Sequence, residues 1–286
     1  MTNKSWVFNS RKGHYRVNEH AGRVSALHLN QKGENLLWQG DTTPTLGMKI
    51  EGGDRMWLAP QLDVFDWDGE NISTMQLPDG MDPGSWQSVT NGDQIEFEQT
   101  FLGSKMIRRI SPLNSIKVKS TLPYCGYNIH DHVITEKYLS SWHLIMVPHP
   151  SDIFVHSAHS PVRYFGSPPS FNSGWISAES NTEAWKLGLS PDHSGKITIG
   201  AFSREDPGGL VVLIAFAEPN GTYIDYPPDG SVGTAIKLFN SAGGGFCELE
   251  HNAPLETHTH KASVLGSWGN FQERLSFLNS LISENT

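Results

Sequence analysis

The chain has 286 residues and carries 21 Lys and Arg against 30 Asp and Glu, a formal charge of -9. That balance argues against a surface that grips nucleic acid or an anionic membrane, since both need clustered cations. Its two cysteines, Cys125 and Cys247, belong to no Cys-x-x-Cys pair, which points to buried free thiols rather than a disulfide framework or a zinc knuckle.

The length suits one large β domain or two smaller ones. The start, Met1-Thr2-Asn3-Lys4-Ser5-Trp6, reaches polar residues at once, and no later stretch approaches a membrane span, so a soluble, cytoplasmic protein is expected. From Trp6 to Trp38 apolar residues alternate, with Tyr15 and Val17 and then Val24, Ala26, Leu27 and Leu29, interrupted by turn material at 18–22 and 31–35; this predicts a β meander. The same pattern predicts strands over 95–101, 105–110, 116–121, 127–135 and 196–202, separated by turns rich in Gly, Asn and Pro. The one basic cluster, Lys105 to Arg109, reads as an exposed strand edge.

Leu210 to Phe216 is continuously apolar, as a strand buried on both faces would be. Asn270-Phe271-Gln272-Glu273 resembles a capping box and precedes Phe271, Leu275, Leu278 and Ile282 at helical spacing, predicting a helix over about 270–283 that packs on a sheet. No repeat or linker divides the chain, so residues 1–286 are expected to form a single, mostly antiparallel β sandwich.

Three stretches could carry chemistry. In Phe246-Cys247-Glu248-Leu249-Glu250 the two glutamates recur at the strand period and share one face. That face is either solvated or part of a cleft, where desolvation and mutual repulsion would raise one carboxyl toward the range of a general base. In Gly52-Gly53-Asp54-Arg55-Met56-Trp57 a double glycine precedes an Arg and a Trp. A guanidinium fork beside an indole can hold sugar hydroxyls and stack on sugar C–H faces; the plainer reading is a turn with Arg55 paired to Asp54 or Asp63. Trp67, Asp63, Asp66 and Asp68 follow in the same loop-rich stretch. His130-Asp131-His132 and His258-Thr259-His260 each place two imidazoles on one strand face, a spacing that metal ligands use. With 13 histidines in the chain this spacing is a weak signal, and neither a metal nor another cofactor is expected.

Gly52 to Gln61, then Ser141-Trp142-His143, then Ala184-Trp185-Lys186-Leu187-Gly188, then Cys247 to Glu250 with Pro254, occur in an order that resembles a bacterial branch of the galactose mutarotase-like (aldose 1-epimerase) superfamily, over residues 10–268. The resemblance implies a large antiparallel β supersandwich, a small-molecule sugar or oligosaccharide as partner, and an aldose epimerase-like isomerase that needs no cofactor. It implies that Arg55 binds sugar hydroxyls, His143 acts as general acid and Glu250 as general base. The family has Cys-Leu-Glu where this chain has Cys-Glu-Leu-Glu, so Glu248 is the second choice for the base. Lys186, Trp57 and Asp54 join the expected sugar-binding set. An early Asn-His motif of the family has no counterpart; His130 and His132 are the histidines available to complete the set. In the implied reaction a carboxylate takes the anomeric hydroxyl proton while an imidazole protonates the ring oxygen, and the ring opens and recloses. A non-catalytic carbohydrate-binding protein, and an epimerase or lyase acting on uronic-acid sugars, are the alternatives.

Overall fold

The structure is a computed structural model that describes residues 4–284 apart from 11, 31–32, 41–48, 66, 68, 70–73, 114–115, 117, 157, 180–182, 192–194 and 219. Among the described residues, antiparallel strands form two nine-stranded sheets. The first runs in the order β1 (Ser5–Asn9), β2 (Gly13–Asn18), β3 (Arg23–Leu29), β4 (Asp54–Ala59), β9 (Ser140–Pro148), β17 (Phe246–Asn252), β16 (Ile236–Asn240), β13 (Trp185–Pro191), β11 (Ala158–Phe165). The second runs β12 (Trp175–Ala178), β10 (Ser151–His156), β14 (Lys196–Ser203), β15 (Gly208–Phe216), β18 (Thr259–Gly269), β8 (Tyr124–Ile134), β7 (Ser104–Pro112), β6 (Gln94–Phe101), β5 (Gln87–Asn91). The expected β supersandwich is therefore present.

The double glycine seats β4. A Cβ on Gly52 would stand 1.7 Å from the Trp38 carbonyl oxygen, and Gly53, at φ 95, would bring one within 2.4 Å of that of Val24. Gly53 N–H donates to Trp38 O at 2.9 Å and Gly53 O accepts from Met146 N–H at 3.0 Å, so backbone packs directly on backbone where β4 enters the sheet.

β15 is buried on both sides, as its sequence predicts. Val211, Leu213 and Ala215 join the main core between the sheets, while Leu210, Val212 and Ile214 join a second cluster with Phe277, Leu278 and Leu281. Those three belong to α2 (Phe271–Ser283), which lies on the outer face of the second sheet; α1 is a single turn, Gln61–Val64. The capping box forms: Asn270 Oδ1 accepts from Glu273 N–H at 2.9 Å, and Glu273 Oε2 accepts from Asn270 N–H at 2.9 Å.

Two sequence expectations fail. None of the described residues in 116–121 is in a strand; Ile116 and Val118 instead pack as part-buried side chains beneath α2. The basic cluster is no exposed edge, because β7 lies between β6 and β8 and Arg108 is fully buried. Arg108 pairs with Asp54 of β4, which also accepts from Tyr127 Oη of β8 at 2.9 Å. A buried ionic contact thus ties the two sheets together across the core.

Two stability outcomes are expected. Asn270→Ala removes one half of the cap and should cost about 1 kcal/mol. Asp54→Ala leaves Arg108 and Tyr127 short of a partner in the core and should cost about 3–5 kcal/mol. Denaturant unfolding monitored by tryptophan fluorescence checks both, and equal midpoints for the two variants would contradict this ranking.

Candidate active site

Strand alternation sorts the functional residues onto two faces of the first sheet. On β9, Trp142, Leu144 and Met146 pair across the ladder with Asn252, Glu250 and Glu248 of β17, and Arg55 of β4 pairs with Leu144. These positions face the side of the sheet away from the second sheet, where a pocket forms a concavity. Asp54, His143 and His251 occupy the intervening positions and face the second sheet.

On the concave side, Arg55 Nη2 donates to Glu248 Oε1 at 2.8 Å, and its guanidinium lies 4.4 Å from the Trp57 ring centre. Asp82 sits behind it, 3.6 Å from Arg55 Nε, accepting from Trp57 Nε1 at 3.1 Å and pairing with Arg23. Two residues along β17, Glu250 Oε2 accepts from Trp142 Nε1 at 2.8 Å and lies 2.9 Å from Lys186 Nζ. Glu250 Oε1 is buried and has no hydrogen-bond partner. Lys186 also donates to Gln61 Oε1 at 2.7 Å and stands 4.3 Å from the Trp142 ring centre.

Behind this pair lies a second ionic layer. Lys237 of β16 contacts Asp225 Oδ2 at 2.8 Å and donates to Asn252, while Gln61 N–H donates to Asp225 Oδ1 at 2.6 Å. Tyr164 Oη donates to the Asp225 carbonyl at 2.6 Å. Burial lowers the affinity of Lys237 for its proton. Burial also opposes ionisation of Asp225, but the Lys237 and Lys186 ammoniums outweigh it and hold that carboxyl below its usual range.

Glu248 is the group whose titration moves toward neutrality. Burial pushes its carboxyl up to about 7, with Arg55 pulling down and Glu250 pushing further up. The cavity between these groups measures about 20 Å³, the room of about one water molecule. Ile50, Gln61, Met75, Phe239 and Phe246 complete its lining around Trp57, Trp142, Lys186 and the two glutamates.

Trp57, Lys186, Glu248 and Glu250 thus meet in one chamber, and Arg55 stands beside it against Glu248. His143 and Asp54 do not join them, because both stand at the alternate register and lie buried between the sheets. There His143 Nε2 lies 2.8 Å from Asp54 Oδ1. His130 and His132 are further still: Asp131 is the β8 residue that points into the core, and its two neighbours face outward from the second sheet. The two His-x-His motifs therefore do not converge on Glu250. His258 instead meets the Leu139 carbonyl at 2.9 Å, and His132 meets Thr259 Oγ1 at 2.6 Å. Trp67 packs edge-on against Phe165, Asp63 is exposed, and Asp66 and Asp68 lie outside the described residues.

Sequence reading missed Lys237, Asp225 and the use of Gln61 and Trp142. Lys237 left a trace, as a lone cation inside the apolar strand Ile236-Lys237-Leu238-Phe239. Asp225, in a Pro/Gly-rich loop, left none.

No family model matches the chain, and no curated protein matches it. Solved structures do match. A galactose mutarotase related enzyme from Lactobacillus acidophilus aligns with a TM-score of 0.55 at 10% identity, covering 93% of this chain and 98% of its own. A candidate aldose 1-epimerase from Escherichia coli K12 aligns at 0.54 and 11% identity, covering 93% and 100%. A galactose mutarotase-like protein from Lactobacillus casei ATCC 334 aligns at 0.53 and 10% identity, covering 93% and 99%. The chain has the galactose mutarotase-like fold over nearly its whole length, and among the described residues no helix is long and apolar enough to cross a membrane.

Proposed function

We propose that this chain binds a sugar on the concave face of its first sheet and interconverts its anomers, with Glu250 as general base and Glu248 as general acid. One observation carries the proposal: two carboxyls two residues apart on β17 share a small chamber, one with a buried free oxygen and one pushed up by burial to about 7. Burial, with the Glu250 charge adding to it, raises the Glu248 carboxyl toward neutrality, so Glu248 keeps a proton to donate near pH 7. That is the state an acid–base pair needs. The likeness in fold to galactose mutarotase-like structures supports a sugar as the ligand.

Glu250 Oε1 takes the proton of the anomeric hydroxyl. The freed electron pair forms the carbonyl as the bond from the anomeric carbon to the ring oxygen breaks, and the ring oxygen takes the proton of Glu248. Rotation about the adjoining carbon–carbon bond and the reverse transfers close the ring as the other anomer. Lys186 and Trp142 hold Glu250 in place through its other oxygen, and Arg55 stabilises Glu248 once it has given up its proton. The Trp57 and Trp142 rings form the apolar part of the chamber wall, with Arg55 and Lys186 lying over them. A hexose fits only once Gln61 and Met75 withdraw, since about 20 Å³ holds little more than a water.

A neutral aldose suits the chamber better than a uronic acid. Arg55 and Lys186, the cations that would receive a sugar carboxylate, each already hold a glutamate, at 2.8 and 2.9 Å.

Anomer exchange of galactose and glucose, followed by polarimetry and by NMR exchange, tests the proposal. Glu250→Gln should lower the enzymatic rate by roughly 10²–10⁴-fold. For the wild type, kcat/KM should fall as pH rises through about 7, where Glu248 loses the proton it must donate. Sugar binding without accelerated exchange would favour a carbohydrate-binding protein, and an unchanged rate in Glu250→Gln would remove that residue from the mechanism.

A further inference from the structure

Between the sheets, behind the sugar chamber, His143 of β9, His251 of β17 and His260 of β18 meet, all fully buried or nearly so. Each brings one ring nitrogen to within 4.8 Å of the others. The His143 and His260 rings stack with centres 5.3 Å apart, and the His251 ring stands edge-on to His260 at 4.8 Å. We propose that this trio is a site for a divalent transition-metal ion of tetrahedral preference, Zn²⁺ or Co²⁺, bound through three imidazoles with a fourth position for water.

Three observations carry it. First, the trio holds nitrogens that nothing in the core satisfies. Neither ring nitrogen of His251 has a hydrogen bond, and neither does His143 Nδ1. The Phe216 backbone lies near the His251 ring, without a hydrogen bond of normal geometry. An unpaired buried polar group is costly, and three rings gathered around one point share a remedy that a single cation supplies.

Second, the surroundings are those that orient metal-bound imidazoles. A ligand histidine usually donates its other nitrogen to a carboxylate or carbonyl. His143 Nε2 lies 2.8 Å from Asp54 Oδ1, leaving Nδ1 for the metal, and His260 Nε2 lies 3.2 Å from Asp131 Oδ2. The second nitrogen of His260 meets Ser141 Oγ at 2.9 Å, a contact that a hydroxyl can yield by rotation. Asp54 and Asp131 against Arg108 leave one net negative charge beside the trio, which offsets part of the charge of an incoming cation.

Third, the trio lies next to a surface cavity. His260 also lines a surface cavity of about 440 Å³ with Phe216, Ala217, Thr257, Thr259 and Lys261. Tetrahedral coordination with bonds of about 2.0–2.1 Å places ligand nitrogens roughly 3.3 Å apart, so binding requires the rings to draw together and to turn their nitrogens toward one point.

The full chain is stripped with chelator and titrated with CoCl₂ by visible absorption and with ZnCl₂ by calorimetry. The expected result is one equivalent per chain with the intense spectrum of tetrahedral Co²⁺. His251→Gln, which keeps the side chain polar and of similar size, should bind roughly a hundredfold more weakly. His132→Gln, which alters the outward-facing His-x-His motif, should bind as the wild type does. If His251→Gln fails to fold, paramagnetic shifts of the His143 and His251 ring protons in Co²⁺-loaded wild type replace it. No binding, an octahedral spectrum, unshifted ring protons, undiminished binding by a folded His251→Gln, or loss of binding in His132→Gln would each overturn the proposal.

Discussion

Side-chain alternation along β4, β9 and β17 is the constraint on which the rest of this molecule depends. Neighbouring residues on a strand must point to opposite faces, and these three strands form the middle of the first sheet. Arg55 and Asp54, Trp142 and His143, Glu250 and His251 are adjacent in the chain, yet each pair is split between the concave face and the core. A shift of one residue in any of these ladders would exchange the two sets and leave both half assembled.

Each set is held together by matching charges that arrive on different elements. On the concave face, Arg55 meets Glu248, Lys186 meets Glu250, and Lys237 meets Asp225. In the core, Arg108 of the second sheet meets Asp54 of the first. Buried ions are tolerated only when paired, so this arrangement positions the carboxyls and also resists any displacement of the strands that carry them. Gln61 extends the same network to the segment over the chamber, through Lys186 and Asp225. In the proposed function, opening the chamber for a sugar means exchanging those two hydrogen bonds for contacts with the ligand.

The composition of the two faces also separates two kinds of chemistry. Acidic and basic groups with indole rings line the concave side, which suits hydroxyl-bearing ligands and proton transfer. Imidazoles backed by carboxylates fill the gap between the sheets, which suits a cation.

Much of this was legible in the residues alone. The period-two pattern, the unbroken apolar run of β15 and the Asn270–Glu273 cap are local properties, and local sterics and hydrogen bonding decide them wherever the chain lies in space. The same period placed Glu248 and Glu250 on one face. What the sequence could not decide was which face of each strand looks where, because that depends on the partner strand and the sheet opposite. His143 was therefore paired with Glu250 although they point apart, Arg108 was read as exposed although it lies in the core, and His260 was matched with His258 rather than with His143 and His251. Only the tertiary structure brings together residues as far apart in the chain as Arg55 and Glu248, because long-range strand pairing, unlike alternation, is set by the packing of the whole molecule.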